Sequence, residues 1–505
     1  MTGAMRGLLE EEPLLFERGS PGRAGASLPA AAVPEYDPAD ELGRFLRGGV
    51  EGLPELSEPE VMRHYVRLSQ WNYGVDTGIY PLGSCTMKYN PKVNEAAARL
   101  SGFARLHPYL PADLAQGALR LMFELQEMLS EIGGFAATTL QPAAGAHGEL
   151  TGLMIIRAYH DSRGDRRPKM LVAQTAHGTN PASSALSGFT VVPIPIGPEG
   201  YLRPDDLKRH LGPDVAALMM TNPNTLGIFE RHVGEIAGLL HEAGALLYGD
   251  GANMNALLGR ARPGEMGIDV MQYNLHKTFT TPHGGGGPGS GPVAVAEKLQ
   301  PFLPKPVVVK KADGTFALDF SGEKSIGKLR TFWGNFGMFV RAWTYLRELG
   351  AEGLREVSGL AVLNANYLRA LLEGSYHLPF PTPVLHEVVF SDKEQKKTGV
   401  TTMDIAKGLI DHGLHPPTVY FPLVVQGALM IEPTETESKE SLDGFARAMK
   451  DLAQQAHTNP QALHDAPAMP HVSRLDETRA ARFPVLRWTP GMDLDRLQGS
   501  ETPAK

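Results

Sequence analysis

A lysine beside a histidine is the first candidate for chemistry in the sequence. The string YNLHKTF places His276 and Lys277 at the end of an apolar segment, 269–276, that we predict to be a strand. A lysine half-buried at a strand end gives up its proton more readily than one in water, so its amine can attack a carbonyl carbon. Taken alone, the position also suits an ordinary surface lysine at the end of a strand.

An aspartate lies 27 residues before that lysine. Asp250 ends another apolar segment, 245–252, with the pattern of a strand. A carboxylate there can pair with the ring nitrogen of a pyridine cofactor and keep it protonated, so that the ring draws electrons from a bound substrate. The same residue type at a strand end would also suit a metal ligand or a capping aspartate.

Two more polar residues follow predicted strands. His177 ends the segment 170–177, where its imidazole can stack on the face of a cofactor ring or bond to the backbone instead. Asn222 follows the segment 215–221 and lies 28 residues before Asp250. Its amide can donate to the 3′ oxygen of the cofactor, although Asn-Pro is also a common turn.

A run of small residues precedes a predicted helix. The turn contains Ala144, Gly145 and Ala146 and leads into HGELTGLMII. Small residues permit close approach of the backbone, and the free amides of a helix N-terminus bind phosphate. A simple packing turn would have the same composition. The run is neither a Walker loop nor the GxGxxG dinucleotide motif.

The elements that must position these residues alternate along the chain. After a predicted helix over 113–132, apolar segments at 170–177, 190–196, 215–221, 245–252, 269–276 and 291–296 are interleaved with helical patterns. Segments of this kind predict an α/β doubly wound domain with a mostly parallel sheet buried on both faces. Ligands bind outside the carboxyl ends of such strands, so the polar residues should meet at one site.

The domain organisation follows from changes in composition. We predict an N-terminal arm over 1–60, rich in Gly, Pro and Ala, and a large domain over 61–335. A long helical pattern and short strands then indicate a smaller α+β domain over 336–455. A Pro-rich, irregular tail is predicted over 456–505.

Composition excludes several classes of protein. The net charge is −8 and no basic run is present, which disfavours a general nucleic-acid or anionic-membrane role. Cys85 is the single cysteine, so an intrachain disulfide and a Cys-rich zinc site are excluded, and we predict no metal site. The N-terminal segment is acidic and no apolar run reaches membrane-spanning length, so a cytoplasmic protein is predicted.

The order of the candidate residues is more informative than any one of them. A phosphate turn, a stacking histidine, Asn-Pro, aspartate and His-Lys follow one another as in the fold-type I pyridoxal-phosphate enzymes, which residues 110–455 resemble. Longer strings are similar to one family, the glycine decarboxylase (P-protein) of the glycine cleavage system. They are YPLGSCTMKYNPKVNE (80–95), AHGTNPASSALSGF (176–189), LMMTNPNTLGIFE (218–230) and NLHKTFTTPHGGGGPGSGPV (274–293).

The resemblance implies a role for each site residue. The cofactor is pyridoxal 5′-phosphate, Lys277 carries it, Asp250 pairs with its ring nitrogen and His177 stacks on the ring. The remaining implied positions are Gly145, Ala146 and His276 at the phosphate, Ala144 and Ala252 in the pocket wall, residues 80–88 near the mouth, and His283 with the following glycines as a mobile loop. The implied fold is a large domain with a seven-stranded, mostly parallel sheet and a smaller C-terminal α+β domain.

The resemblance also implies an activity and partners. The activity is decarboxylation of glycine, with transfer of the aminomethyl group to the lipoyl arm of the carrier H-protein. Only the second, lysine-bearing half of the single-chain P-protein is matched, so a separate first-half subunit and an α2β2 heterotetramer are expected. The reaction needs a general acid or base, and either His177 or Lys277 can serve as that group. The alternatives are another fold-type I enzyme, such as an amino-acid decarboxylase, aminotransferase or desulfurase, and a non-catalytic scaffold subunit.

Overall fold

The computed structural model describes residues 12–48, 52–284, 289–470, 472–489 and 492. The helices are α1 (Ala39–Leu42), α2 (Glu58–Gln70), α3 (Lys92–Ala98), α4 (Ser101–Ala104), α5 (Gln116–Gly133), α6 (Gly145–Asp161), α7 (Thr179–Leu186), α8 (Pro204–Lys208), α9 (Val233–Glu242), α10 (Phe336–Leu372), α11 (Thr402–Asp411), α12 (Lys439–Thr458), α13 (Pro460–Asp465) and α14 (Glu477–Arg482). The strands are β1 (Ala137–Thr139), β2 (Lys169–Ala173), β3 (Thr190–Ile194), β4 (Val215–Thr221), β5 (Leu246–Gly251), β6 (Val270–Tyr273), β7 (Val293–Val295), β8 (Val307–Lys310), β9 (Phe316–Asp319), β10 (Val388–Ser391), β11 (Thr418–Val419) and β12 (Ala428–Ile431).

The chain divides into two units, one of residues 75–469 and one that joins residues 1–74 to 470–505. In the second unit, α2 begins with a reciprocal cap in which Glu60 Oε2 accepts from the backbone amide of Ser57 at 2.8 Å. Helix α2 also supplies Arg67, whose guanidinium donates to Glu12 at 3.0 Å. The four-part division predicted from composition stays a prediction.

A seven-stranded sheet organises the larger unit, as predicted. Its order is β1-β7-β6-β5-β4-β2-β3. Strands β6, β5, β4, β2 and β3 are parallel, and β7 runs antiparallel to both of its neighbours, β1 and β6. Strands β1, β2, β4, β5 and β6 therefore all end at the same edge of the sheet. That edge is where ligands bind in folds of this class.

Helices cover the sheet with apolar stripes. Helix α5 buries Leu121, Leu125 and Leu129 and ends before Gly134, whose φ of 75° is the left-handed conformation of a helix cap. The predicted start at 113 was three residues early, because residues 112–114 form a separate 3₁₀ turn. The hairpin β8–β9 was not predicted.

The small sheet β10-β12-β11 is antiparallel and contacts α10 through β10 and α11 through β11. Its core contains Phe390, Met430 and Phe445. Helix α10 turns at Gly350, whose φ of 60° and ψ of −171° interrupt the helical backbone. Part of the region predicted as an irregular tail is helical, namely α13 and α14. Across the described residues, none of the helices combines the length and apolarity that crossing a membrane requires.

Candidate active site

The structure gathers the predicted site residues at one edge of the large sheet. The 144–146 turn follows β1, His177 follows β2, Asn222 follows β4, Asp250 and Ala252 lie at the end of β5, and His276 and Lys277 follow β6. The strands predicted over 269–276 and 170–177 extend several residues beyond the observed ones. The ladder stops at Tyr273 and at Ala173, because Lys277 N bonds to Asn274 O and Ala176 N bonds to Ala173 O in turns. Lys277 and His177 therefore stand on loops four residues beyond their strands.

Asp250 is oriented by four donors. Its Oδ2 accepts from Asn180 Nδ2 at 3.1 Å and Thr221 Oγ1 at 3.4 Å, and its Oδ1 accepts from Ala252 N at 2.9 Å and from Gln272 Nε2. Thr221 and Gln272 are its register partners on β4 and β6. A carboxylate held on both sides in this way keeps a fixed direction and, being 2% exposed, is shielded from water.

Lys277 is buried and points at an upstream loop. Its Nζ donates to the carbonyl oxygen of Ser84 at 2.7 Å, and the residue is 9% exposed. Ser84 belongs to the 80–88 segment, which we predicted near the site's mouth. Ser84, Thr86 and Lys88 are themselves buried, so residues 80–88 form an inner wall of the site rather than its rim. We call residues 80–88 the wall segment.

His177 lies in the same electrostatic environment as Asp250 and Lys277. Its Nδ1 is 3.0 Å from Thr179 Oγ1, and the Thr179 hydroxyl donates on to Glu149 at 2.7 Å. Burial lowers the pKa of His177, the Asp250 carboxylate opposes that shift, and Lys277 adds to it. The ring is therefore neutral at neutral pH, which suits stacking and proton exchange.

Of the two polar atoms in the Asn222 side-chain amide, the oxygen has a hydrogen-bond partner among the described residues and the nitrogen has none. Its Oδ1 accepts from the backbone amide of Glu230 at 3.0 Å. Its Nδ2 is buried and has no hydrogen-bond partner among the described residues. An unpaired buried donor costs about 1–3 kcal/mol, so this atom points to an acceptor supplied by a ligand.

The small-residue turn and the loop before β7 build a cradle at the N-terminus of α6. A Cβ at Gly145 would come within 2.5 Å of Asn274 Oδ1, and a Cβ at Gly291 would overlap the carbonyl of Ala144. The hydroxyl of Ser290 is buried there without a partner among the described residues. Free helix amides and an unpaired hydroxyl suit a phosphate.

His276 lies beside the cradle, and its ring packs against the ring of His283. Its Nδ1 accepts from Ser290 N at 3.3 Å, and its ring centroid lies 5.1 Å from that of His283. Burial and the neighbouring charges lower the pKa of His276 to about 3 and that of His283 to about 4. A phosphate contact from His276 would therefore come from a neutral ring. Of the loop predicted after His283, residues 285–288 lie outside the described residues.

Several site residues were missed by the sequence reasoning. Asn180 and Gln272, which hold Asp250, carried no distinguishing signal. Glu149 lies one turn into α6, where burial and Asp250 raise its pKa to about 7. Glu387 and Glu432 did carry a sequence signal that could have identified them. Each is a charged residue directly adjoining an apolar strand segment, in HEVVFS and ALMIEP.

These groups fit pyridoxal phosphate. A buried lysine amine suits its aldehyde, the fixed carboxylate of Asp250 suits its ring nitrogen, and the unpaired amide of Asn222 suits its phenolic oxygen. The glycine cradle at α6 suits its phosphate. This donor set can therefore hold the cofactor with its reactive carbon at Lys277.

Comparisons with known proteins identify the family of the chain. Residues 57–320 match the family described as glycine cleavage system P-protein, and residues 357–468 match the glycine dehydrogenase C-terminal domain. A probable glycine dehydrogenase (decarboxylating) subunit 2 from Listeria monocytogenes serotype 4a is 56% identical over 483 residues, which cover 95% of this chain and 99% of that protein. The protein of the same description from Chlorobium chlorochromatii is 57% identical over 475 residues, or 94% of this chain and 98% of that one.

Solved structures place the fold in the same group. The crystal structure of an inhibitor-bound glycine decarboxylase (P-protein) superposes with a TM-score of 0.70 at 24% identity, covering 82% of this chain and 94% of that one. A cysteine desulfurase from Escherichia coli superposes with a TM-score of 0.58 at 16% identity, covering 77% of this chain and 97% of that one. These likenesses confirm the predicted fold-type I architecture. From its family matches and its near full-length relatives, the chain belongs to the glycine cleavage system P-protein family.

Proposed function

We propose that this chain is the cofactor-bearing subunit of a glycine decarboxylase, which removes carbon dioxide from glycine and passes the aminomethyl group to the lipoyl arm of a carrier protein. The observation that carries the proposal is the 56% identity over 95% of the chain to relatives named glycine dehydrogenase (decarboxylating) subunit 2. The site residues by themselves would suit any fold-type I enzyme.

The geometry supports the following proposed roles for the residues. Pyridoxal phosphate, when bound, supplies an electron sink for the pair of electrons released as the carboxylate of glycine leaves. Lys277 would hold it, and Asp250, locked by four donors, would keep its ring nitrogen charged. Asn222 would donate its free amide, and the Gly145 turn would take the phosphate.

The protein's own part is to shield, orient and move protons. The neutral ring of His177 and the amine of Lys277 are two groups beside the proposed cofactor position that could exchange a proton with the substrate carbon. Burial of Asp250 and Lys277 would keep water away from the reacting carbon of glycine, so that the protein's own groups would control proton exchange there.

The desulfurase alternative is disfavoured by its one candidate nucleophile. Cys85 lies on the wall segment close enough to Lys277 for the amine to lower its pKa, but burial is the larger effect and raises the pKa of the thiol. A desulfurase needs a reactive thiolate, which a raised pKa works against.

The subunit description of the relatives supports an assembly. We infer a separate first-half subunit, an α2β2 heterotetramer and docking of a lipoylated H-protein. A cytoplasmic location remains a prediction from the sequence.

The test combines spectroscopy with an exchange assay. The full chain with pyridoxal phosphate is expected to show the visible absorbance of a lysine-bound cofactor, and Lys277→Ala is expected to lose it. Lys169→Ala is the matched control, because Lys169 begins β2 at the opposite edge of the sheet. With the partner subunit and lipoylated carrier, the wild-type chain should exchange bicarbonate into glycine. A visible band without exchange would leave another fold-type I activity, and no band would refute the cofactor assignment.

A further inference from the structure

Two buried glutamates face each other near Lys277 on the small sheet. Glu387 directly precedes β10 and Glu432 directly follows β12. The antiparallel register pairs Val388 with Ile431, so the two glutamates stand opposite each other at the end of the ladder. Neither has exposed surface. Nothing in the proposed reaction has used them.

The pair clamps the wall segment on which Lys277 rests. Glu387 Oε2 accepts from Ser84 N at 2.7 Å, and Glu432 Oε2 accepts from Thr86 N at 2.9 Å. The Thr86 hydroxyl also donates to Glu432 Oε1 at 2.5 Å. Ser84 and Thr86 have φ values of 61° and 47°, a conformation that non-glycine residues rarely adopt and that needs such support. The carbonyl held this way is the acceptor of Lys277 Nζ.

Charge limits the ionisation of the pair. Two carboxylates buried side by side do not both ionise, because each disfavours the charge of the other and neither reaches water. Burial and Glu432 raise the pKa of Glu387 well above its ordinary range, and burial raises the pKa of Glu432 to about 7. Burial therefore disfavours a second charge on the pair, while the two hydrogen bonds that Glu432 accepts from Thr86 favour one carboxylate.

Besides Lys277, the titratable groups described as facing the pair supply no positive charge to it. Glu435 acts on Glu432, but its carboxylate is bonded to Lys88 Nζ at 2.7 Å. His386 Nε2 lies 3.8 Å from Glu387 and 4.0 Å from Glu432, and burial lowers the pKa of His386 to about 3, so this ring is neutral. Cys85 is a thiol whose pKa burial raises.

We propose that Glu387 and Glu432 are positioning residues that share one proton, carry a single negative charge, and so fix both the Ser84 carbonyl and the charge balance at Lys277. The inference rests on the proposed function in one respect, that Lys277 carries the cofactor.

A shared proton gives a non-additive signature. In Glu387→Gln, the neutral amide replaces the protonated partner and the remaining carboxylate keeps the single charge; Glu432→Gln behaves the same way. The double variant removes the charge altogether. A nearby negative charge favours the protonated linkage between Lys277 and the cofactor, so the pH midpoint of its visible absorbance should fall by about 1–3 units in the double variant. Each single variant should shift it by less than about 0.5 unit.

A bound cation is the competing explanation of the cluster. Donor atoms of His386, Glu387 and Glu432 lie within 4.8 Å of one another. We favour the proton because both carboxylates already accept hydrogen bonds from the wall segment. A cation would require two ionised glutamates, whose charges a divalent ion would neutralise, and it would be found as stoichiometric metal in the purified wild type.

The experiment titrates the full chain loaded with pyridoxal phosphate, as wild type, both single variants and the double variant, with metal content measured on the purified wild type. The matched control is Glu230→Gln. Glu230 is also fully buried with its pKa raised to about 7, but it faces Leu202 and Asn224 rather than Lys277 and should leave the midpoint unchanged.

Small single shifts, a large double shift and no stoichiometric metal are expected. A shift of about 1 unit in either single variant refutes the shared proton even if the double variant does not fold. Stoichiometric metal, or a double variant that titrates like wild type, also overturns the proposal. A missing visible band in the wild type would instead indicate failure of the proposed function, so the two failures are distinguishable.

Discussion

Gly148 offers a direct test of the packing behind the phosphate cradle. It lies in the first turn of α6, where a Cβ would come within 2.7 Å of the Gly291 carbonyl and 2.9 Å of Gln272 Cβ. Neither neighbour is the flexible end of a side chain, so α6 or the loop before β7 must move. Such overpacking costs about 1–3 kcal/mol. The gain from replacing a helical glycine by alanine is about 0.5–1 kcal/mol, which leaves a net loss of up to about 2.5 kcal/mol.

The matched variant is Gly238→Ala. Gly238 lies inside α9 and has nothing within 4 Å of its added Cβ, so this variant should gain about 0.5–1 kcal/mol. Urea denaturation of the cofactor-free chain measures both changes, and they should have opposite signs. Gly148→Ala should also weaken cofactor binding, because Gln272 orients Asp250. A Gly148→Ala chain as stable as the Gly238→Ala chain would refute the packing argument.

Two further predictions concern buried polar groups. Asn222→Asp keeps the acceptor for Glu230 N but removes the free amide donor, so the dissociation constant for pyridoxal phosphate should rise by about 10- to 100-fold in an absorbance titration; an unchanged constant would count against the donor role. Burial raises the pKa of Glu230 from 4.5 to about 7, so the folded chain binds its proton more tightly than the unfolded chain. The stability that this protonation supports is present below pH 4.5 and is lost as pH rises through 7, by about 1 kcal/mol between pH 6 and 8. Glu230→Gln should remove that part of the pH dependence in urea denaturation at the two pH values, and an unaltered slope would refute the assignment.

The sheet could be predicted because its signals are local. Apolar segments such as 215–221 match β4 without error, since a strand buried on both faces is nearly continuous in apolar residues. The parallel rule then places residues after different strands at one edge, as found for Asn222 and Asp250. Boundaries were less predictable where an apolar segment continues into a turn, as at Leu275 before Lys277.

The residues that hold the predicted ones could not be read in the same way. Asn180 reaches Asp250 from the start of α7, and Gln272 reaches it through strand register. Neither residue type is unusual at its position. The contact of Lys277 with Ser84 spans 193 residues. The sequence around Ser84 indicated a functional segment because it resembles the P-protein family. Its burial against Lys277 depends on its pairing with β12, where Leu82 forms a bridge with Ile431.

The two parts of the larger unit therefore divide the task. The large sheet supplies Lys277 and Asp250, which we propose act on the cofactor directly, and its parallel strands bring both residues to one edge. The small sheet supplies Glu387 and Glu432, which hold the wall segment that bonds to Lys277 and place their charge near its amine. Because that segment bonds to both sheets, a shift of the small sheet would move the Ser84 carbonyl and with it the amine of Lys277. Substitutions in the core of the small sheet, far from any cofactor atom, should for this reason alter the absorbance of the lysine-bound cofactor before they unfold the chain.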